Sequence, residues 1–234
     1  GLASVCGATP NPGYTFSGWS GACRGATCVL TNVTSVKTVT ANFTASSFTL
    51  TFDAQGGNPT PASMTGSAGV TVTLPAAPTR TGYTFVNWNT AANGSGTAHA
   101  AGGSYAMPAS NTTLYAIWAI NQYTVTFVDW DATVLKTESV NHGGAATAPA
   151  NPSRTGYTFN GWDVAFNNVT ADLTVTAQYA INSYTVTFVD WDATVLKTET
   201  VNHGGAATAP ANPSRTGYTF NGWDVAFNNV TADL

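Results

Sequence analysis

The strongest constraint on this chain is a seven-residue motif, Gly-Tyr-Thr-Phe followed by two variable residues and Trp, that recurs four times in 234 residues. The copies begin at Gly13, Gly82, Gly156 and Gly217, so they are spaced by 69, 74 and 61 residues. Self-similarity at such intervals is typical of an array of small modules. We therefore predict tandem modules rather than one large domain.

Two strand-like segments accompany the motif. In both, apolar or aromatic residues alternate with Thr, which predicts strands with one buried face. The opening segment occurs at 48–52, 123–127 and 184–188, and the closing segment at 38–43, 113–118 and 174–179. In the last of these, Val175, Ala177 and Tyr179 are expected to share the inward face.

These segments divide the chain into four predicted modules, which we call the first (1–45), second (48–118), third (123–179) and fourth (184–234). Residues 124–173 and 185–234 are identical except that Ser139 is replaced by Thr200. The linkers are only a few residues long, so we expect a semi-rigid array. The first module lacks an opening strand and the fourth lacks its last strand. The chain is therefore expected to be an internal piece of a longer protein, or to receive the missing strands from neighbouring molecules.

Composition favours a β-dominated fold, α+β at most. Aromatic residues make up 12% of the chain, beside many Val and Thr, and 23 Gly and 11 Pro interrupt the strand patterns. In the third module we predict strands over 123–130, 134–140 and 157–162, and the sequence leaves room for a short helical turn around 145–148.

Charge and hydropathy exclude several classes of function. Only 8% of residues are charged, against about 25% in ordinary soluble proteins. Seven Lys and Arg residues are too few for a basic surface, so nucleic acid is not an expected partner. No apolar run reaches the roughly 18 residues that a membrane-spanning helix requires.

The three cysteines suggest one disulfide bond. Cys23 and Cys28 are separated by four residues, a spacing that suits a bridge across a small loop and implies an oxidising compartment. The alternatives are free thiols or half of a metal site, and a zinc site would need two further ligands nearby. Cys6 is either free or paired with a residue that precedes this chain.

The aromatic residues of the motif are predicted to form the core of each module. If the motif strand is regular, Tyr157 and Phe159 face one way and Trp162 faces the other, unless Gly161 makes a bulge. The predicted core residues are Tyr14, Phe16, Trp19, Tyr83, Phe85, Trp88, Tyr157, Phe159, Trp162, Tyr218, Phe220 and Trp223.

The order and spacing of these segments resemble the Listeria–Bacteroides repeat family, the B-repeats of internalin B and other bacterial surface proteins. Residues 48–234 carry the resemblance, and residues 1–45 resemble a divergent form of the repeat. The resemblance implies tandem β-grasp-like modules on secreted or cell-surface proteins, with no catalysis and no cofactor. Ala132 and Ala193 depart from the pattern, because Gly is more usual at that hairpin turn.

Few side chains suggest chemistry. Asp129 and Asp131, repeated as Asp190 and Asp192, could suit Ca²⁺, but calcium sites use six or more oxygen ligands. The simpler interpretation is a polar hairpin end that keeps a sheet edge soluble, so no metal site is predicted.

Other polar residues are expected to have local roles. His142 and His203 precede Gly-Gly and are expected to be solvated. Arg80, Arg154 and Arg215 precede the motif and are expected to stack on an aromatic ring or bond a turn carbonyl.

A Lys–Asn isopeptide bond was also considered. Lys136, Glu138 and Asn141 lie in one short stretch, whereas that cross-link needs Lys and Asn on adjacent strands, so we do not expect it.

Taken together, the sequence predicts a non-catalytic extracellular stalk or fibre of a bacterial surface protein. Its expected partners are neighbouring modules or copies of itself, joined by strand addition at an open sheet edge. The alternative is a binding module that presents exposed aromatic platforms to a glycan or a host receptor.

Overall fold

The computed structural model describes residues 3–234, and within that range it contains seventeen strands and no helix. The prediction of a β-dominated fold is confirmed. The helical turn considered for 145–148 is absent. There the amide of Ala146 donates to the Phe166 carbonyl and the amide of Thr147 donates to the Glu138 carboxylate, so neither amide is available for a helical hydrogen bond.

The chain forms two compact units, Gly1–Asn121 and Gln122–Leu234. The strands of the first unit are β1 Ser4–Cys6, β2 Tyr14–Gly21, β3 Cys28–Leu30, β4 Val39–Ala45, β5 Ser47–Asp53, β6 Met64–Ser67, β7 Thr71–Thr73, β8 Tyr83–Asn89, β9 Ala98–His99, β10 Ser104–Ala106 and β11 Thr112–Ile120. One five-stranded sheet has the order β6-β5-β11-β8-β9, with β5 and β11 parallel, and three two-stranded sheets pair β1 with β3, β2 with β4, and β7 with β10.

The second unit has a four-stranded sheet and a two-stranded sheet. Its strands are β12 Gln122–Val128, β13 Val134–Asn141, β14 Tyr157–Trp162, β15 Leu173–Ile181, β16 Ser183–Val189 and β17 Val195–Asn202. The larger sheet has the order β13-β12-β15-β14, in which β12 and β15 are parallel and the outer pairs are antiparallel. The opening and closing strands of the third module therefore lie side by side at the centre of its sheet.

Strand alternation places the core on one face of this sheet. Val125 and Phe127 of β12 and Val175 of β15 are fully buried, whereas the intervening Thr124 is exposed and Thr126 is half-buried. The core also includes Val169, which comes from the polar connection before β15. A sheet with one packed face and one polar face accounts for the Thr-rich alternation of the sequence.

The strands of successive modules are separated by single residues. β4 ends at Ala45 and β5 begins at Ser47, and Asn121 and Asn182 are likewise the only residues between β11 and β12 and between β15 and β16. Each linker is therefore one residue long, whereas the sequence predicted linkers of a few residues.

One predicted strand is not formed. Residues 218–223 of the fourth module repeat the sequence of β14, but they make only an isolated bridge between Arg215 and Tyr218. In the third module, β14 forms its ladder with β15. No strand lies beside residues 218–223 in the described structure, so their amides have no ladder to join.

Candidate functional site

The motif strand contains a bulge that turns its tryptophan towards its phenylalanine. On β14 the register against β15 shifts between Phe159 and Trp162, where Gly161 has a φ of 102°. The rings of Phe159 and Trp162 consequently meet edge to face, with centroids 5.3 Å apart. The bulge considered at Gly161 is thus present, and Trp162 packs against the core.

The same pairing occurs in every copy of the motif. Three copies have centroid distances of 5.3 Å and the second has 5.5 Å. Trp88 is completely buried, and nine other motif aromatics are half-buried: Phe16, Trp19, Tyr83, Phe85, Tyr157, Phe159, Trp162, Phe220 and Trp223.

The prediction that the motif tyrosine belongs to the core is wrong in two copies. Tyr14 is 53% exposed and Tyr218 is 67% exposed. The tyrosine precedes the bulge, and its ring stacks on an arginine guanidinium rather than on core side chains in the three later copies. For Tyr14 the corresponding position, three residues before the tyrosine, is Asn11.

Arginine–aromatic stacks form the most distinctive surface feature of the second unit. The guanidinium carbon of Arg154 lies 4.0 Å from the ring centroid of Trp130 and 3.8 Å from that of Tyr157. Arg215 lies 3.9 Å from the centroid of Trp191 and 4.0 Å from that of Tyr218. Each arginine therefore links the tip of the β-hairpin to the start of the motif, as the stacking prediction requires.

Hydrogen bonds at the hairpin tip involve both aspartates. Asp129 Oδ1 accepts from the amide of Trp130 at 2.8 Å and from the hydroxyl of Tyr179 at 2.6 Å. Burial, together with this bond to Asp129, raises the pKa of Tyr179 to about 12. The amide and hydroxyl of Thr133 hold the pKa of Asp131 below its usual range.

These aspartates close a turn, and the turn is strained. Ala132 and Ala193 have φ values of 67°, in the left-handed region where the sequence comparison expected Gly. Among residues 3–234, no group of three or more His, Cys, Asp and Glu side chains is placed to hold a metal ion.

A repeated set of hydrogen bonds closes each one-residue linker. Asn182 donates its amide to the carbonyl of Gly156 at 2.9 Å, and its Oδ1 accepts from the hydroxyl of Thr158 at 2.6 Å. Its carbonyl accepts from the amide of His203 at 2.8 Å. This joint connects the motif of the third module, the linker and the fourth module.

Two of these contacts, from the linker amide to the motif glycine and between the linker and motif threonine side chains, occur twice in the first unit. The amide of Asn121 donates to Gly82 at 2.9 Å and its Oδ1 accepts from Thr84 at 2.7 Å. The amide of Ser46 donates to the carbonyl of Gly13 at 2.8 Å, and the hydroxyls of Ser46 and Thr15 lie 2.9 Å apart. The joint therefore uses the first and third residues of the Gly-Tyr-Thr motif.

This joint was not predicted from the sequence. The sequence pattern that could have indicated it is an Asn or Ser at the centre of each linker, together with the Gly and Thr that every copy of the motif contains. The expectation that His142 and His203 are solvated is also wrong. The Nδ1 atoms of both are buried without a hydrogen-bond partner within the described residues. The ring of His203 packs against Gly156 because the joint brings the two segments together.

A charged clamp attaches the Ala-rich loop to β13. Lys136 Nζ lies 3.1 Å from Glu138 Oε2 and donates to the carbonyl of Thr147, while the amide of Thr147 donates to Glu138. This amide, with the smaller effect of Lys136, holds the pKa of Glu138 below its usual range. Asn141 instead accepts a hydrogen bond from Gln122.

Cys23 and Cys28 form a disulfide bond, with their Cα atoms 5.6 Å apart. Cys6 of β1 is a half-buried free thiol and lies opposite Cys28 of β3 in the antiparallel register.

Family comparisons cover nearly the whole chain. The family described as the Listeria-Bacteroides repeat domain matches residues 48–117, 123–182 and 184–231. The divergent InlB B-repeat domain matches residues 1–47. Between residues 3 and 234 the structure contains no helix with the length and apolar character needed to cross a membrane.

Curated relatives are much longer than this chain. A putative Gly-rich membrane protein of Evansella cellulosilytica is 28% identical over 235 residues, which cover 90% of this chain and 27% of that protein. Internalin H of Listeria monocytogenes is 37% identical over 152 residues, which cover 65% of this chain and 25% of that protein. The chain thus spans about a quarter of the length of these relatives.

Among solved structures, tandem SHIRT domains 3–4 from a streptococcal cell surface protein match 58% of this chain and 98% of that chain. The sequence identity is 16% and the TM-score is 0.27.

Proposed function

Because the chain belongs to the Listeria–Bacteroides repeat family, we propose that it is a non-catalytic spacer in an extracellular bacterial surface protein. In this proposal the four modules, 1–45, 48–118, 123–179 and 184–234, hold other parts of a larger protein away from the cell. The central strand pair of the third module, with β13 and β14 outside it, supports a β-grasp-like description of each module.

The observation that carries this proposal is the repeated joint. A flexible linker adds little to the distance that a spacer maintains, because the two ends of a random coil approach one another freely. Here each linker is one residue, and its amide and side-chain oxygen are both bonded to the motif of the preceding module. The same hydrogen bonds recur at all three linkers, although the modules differ in sequence. This recurrence supports a role that depends on how one module is oriented on the next.

The relatives support an extracellular setting. One is named a membrane protein and another an internalin, and both contain the repeat in a much longer chain. The disulfide between Cys23 and Cys28 agrees with an oxidising compartment.

In this proposal, strand addition at the fourth module is the means of assembly. Leu234 starts a parallel ladder with β16, since its amide donates to Thr185 and its carbonyl accepts from Thr187. Beyond it lies a mainly apolar groove of about 230 Å³, lined among others by Val186, Phe188, Trp223, Phe227 and Leu234. A strand like β15 fits this groove, whether a longer chain or another copy supplies it.

The near-identity of two modules permits a clean test of the spacer role. Deletion of residues 124–184 joins Tyr123 to Thr185 and leaves a continuous module, because 185–234 repeats 124–173. Duplication of the same segment adds one module. Both changes are made in the parent protein on producing cells, and antibody access to the parts beyond the spacer is measured.

The spacer proposal predicts that access falls with deletion and rises with duplication. Antibody access that does not change with the number of modules would contradict the proposal. The double substitution T124V/T185V, on exposed strand faces, is the matched control and is expected to leave access unchanged.

A further inference from the structure

The tips of the β12–β13 and β16–β17 hairpins each present a tryptophan to solvent. Trp130 is 52% exposed and Trp191 is 63% exposed, although tryptophan is on average a highly buried residue. In each case one ring face is covered by an arginine guanidinium, at 4.0 and 3.9 Å. The exposed area therefore belongs largely to the opposite face and the ring edge.

The stacked arginines have unused hydrogen-bond donors. Among residues 3–234, the guanidinium groups of Arg154 and Arg215 donate to no protein acceptor and form no ion pair. Each group is nevertheless held in place by two aromatic rings. A planar guanidinium that is fixed in this way can offer its N–H edge to a ligand at little cost in conformational entropy.

Unused acceptors lie beside the same rings. Asp129 and Asp190 each use Oδ1 to accept the amide of the adjacent tryptophan, and neither Oδ2 has a partner within the described residues. In the fourth module Asp190, Trp191 and Arg215 line one cavity of about 190 Å³. Each tip thus combines an exposed aromatic face, a fixed donor and a free acceptor.

This combination fits a pyranose ring. One face of a hexopyranose is formed by C–H groups, which pack on an aromatic ring, and its hydroxyl rim needs both donors and acceptors. A polyanion is less suitable, because the aspartates outnumber the arginine at each tip: Asp129 and Asp131 lie beside Arg154. The local charge therefore favours a neutral sugar over a sulfated or uronic acid chain.

The second module provides an internal comparison. Arg80 stacks on Tyr83 at 3.9 Å, but no tryptophan follows its opening strand. The tryptophan of that module outside the motif, Trp118, donates its indole N–H to the carbonyl of Ala54 and packs against the core instead. The exposed stack is thus a property of the two near-identical modules, not of the repeat in general.

We propose that the Trp130–Arg154–Asp129 and Trp191–Arg215–Asp190 clusters are a pair of binding sites for neutral hexopyranose chains. Two copies of one weak site in a single unit would also bind a polysaccharide with greater apparent affinity than either site alone. This role goes beyond that of a spacer and does not require it.

The test uses the full chain and three neutral probes, chitohexaose, cellohexaose and maltohexaose, with heparin as the polyanionic comparison. Indole N–H resonances in NMR spectra report each tryptophan, and calorimetry measures affinity. For at least one neutral probe we expect saturable shifts at Trp130 and Trp191, and none at the buried Trp88. The double variant W130A/W191A should lose about 30-fold in affinity, as when an aromatic anchor is removed, and W130F/W191F should retain most of it.

A purely structural role for the stacks would leave sugar affinity unaffected by these variants. The core variant V175A serves as the control, because it destabilises the fold without touching either cluster, so binding below its unfolding transition should persist. The proposal is overturned if none of the three neutral probes shifts the two indoles, if W130A/W191A binds as the wild type does, or if only heparin binds.

Discussion

The imidazole ring of His203 lies directly against the α-carbon of Gly156. A β-carbon at Gly156 would come within 2.1 Å of Cδ2 of His203. The glycine of the motif therefore has two roles in the third module: it adopts a φ of 77° at the turn, and it leaves room for the loop that follows β17 in the next module.

Substitution of this glycine separates the two roles. Gly217 has the same place in the fourth module and a φ of 80°, but a β-carbon there would meet nothing within 4 Å. Both Gly156→Ala and Gly217→Ala should cost about 1–2 kcal/mol for the left-handed backbone. Gly156→Ala should cost about 1–3 kcal/mol more, because the joint is overpacked.

Thermal unfolding measures both costs, and hydrogen exchange locates the second one. Exchange of the Asn182 and His203 amides, which donate across the joint, should accelerate in Gly156→Ala and not in Gly217→Ala. Equal effects of the two variants would show that the His203 ring yields without disturbing the joint.

The hydroxyl of Thr158 should stabilise the joint in the same manner. Thr158→Val removes the donor to Asn182 Oδ1, and we expect a loss of about 0.5–1.5 kcal/mol. Thr219→Val is the matched control, because Thr219 has the same motif position and makes no side-chain hydrogen bond within the described residues. Chemical denaturation should separate the two variants by about that difference.

Tyr179 should make stability sensitive to alkaline pH. Its pKa is raised from 10.0 to about 12 in the folded state, chiefly by burial and then by its bond to Asp129. A raised pKa favours the neutral form, so this contribution is complete below pH 10 and is lost as the pH rises towards 12. In Tyr179→Phe the loss of stability across that window should be smaller than in the wild type.

Ultraviolet titration checks the assignment. Subtracting the tyrosinate absorbance curve of Tyr179→Phe from that of the wild type should leave one transition near pH 12. In Asp129→Asn that transition should move to lower pH, because the carboxylate no longer disfavours tyrosinate. A difference curve with its midpoint near pH 10 would contradict the assignment.

Replacement of the two hairpin alanines by glycine should stabilise the protein. Ala132 and Ala193 both have φ values of 67°, so replacement by Gly relieves about 1–2 kcal/mol of backbone strain, offset by about 0.5–1 kcal/mol of entropy. We expect Ala132→Gly and Ala193→Gly to raise the melting temperature. Ala150→Gly, at a position without positive φ, should lower it.

Much of the fold could be predicted from local patterns. Alternation of Thr with Val and aromatic residues placed the strands of the third module within two residues of β12 to β14, and Gly161 signalled the bulge that brings Trp162 to Phe159. The family match also confirms the resemblance that these segments suggested. Each of these inferences depends on neighbours in sequence.

Features that depend on residues distant in the sequence could not be predicted in this way. Nothing local to His203 indicates that its ring meets Gly156, since the contact follows from the geometry of a one-residue linker. The exposure of Tyr218 depends similarly on what lies beside residues 218–223. Which face of Trp130 is exposed could not be predicted either, because the other face is covered by Arg154, which is 24 residues away in the sequence.

The central claim is that a one-residue linker fixes the orientation of one module relative to the next within the second unit. Residual dipolar couplings of backbone amides in the full chain test it most directly. The account predicts that one alignment tensor fits both the β12–β15 sheet and the β16–β17 sheet. Two tensors of clearly different magnitude would show that the joint at Asn182 is flexible, and would contradict the account.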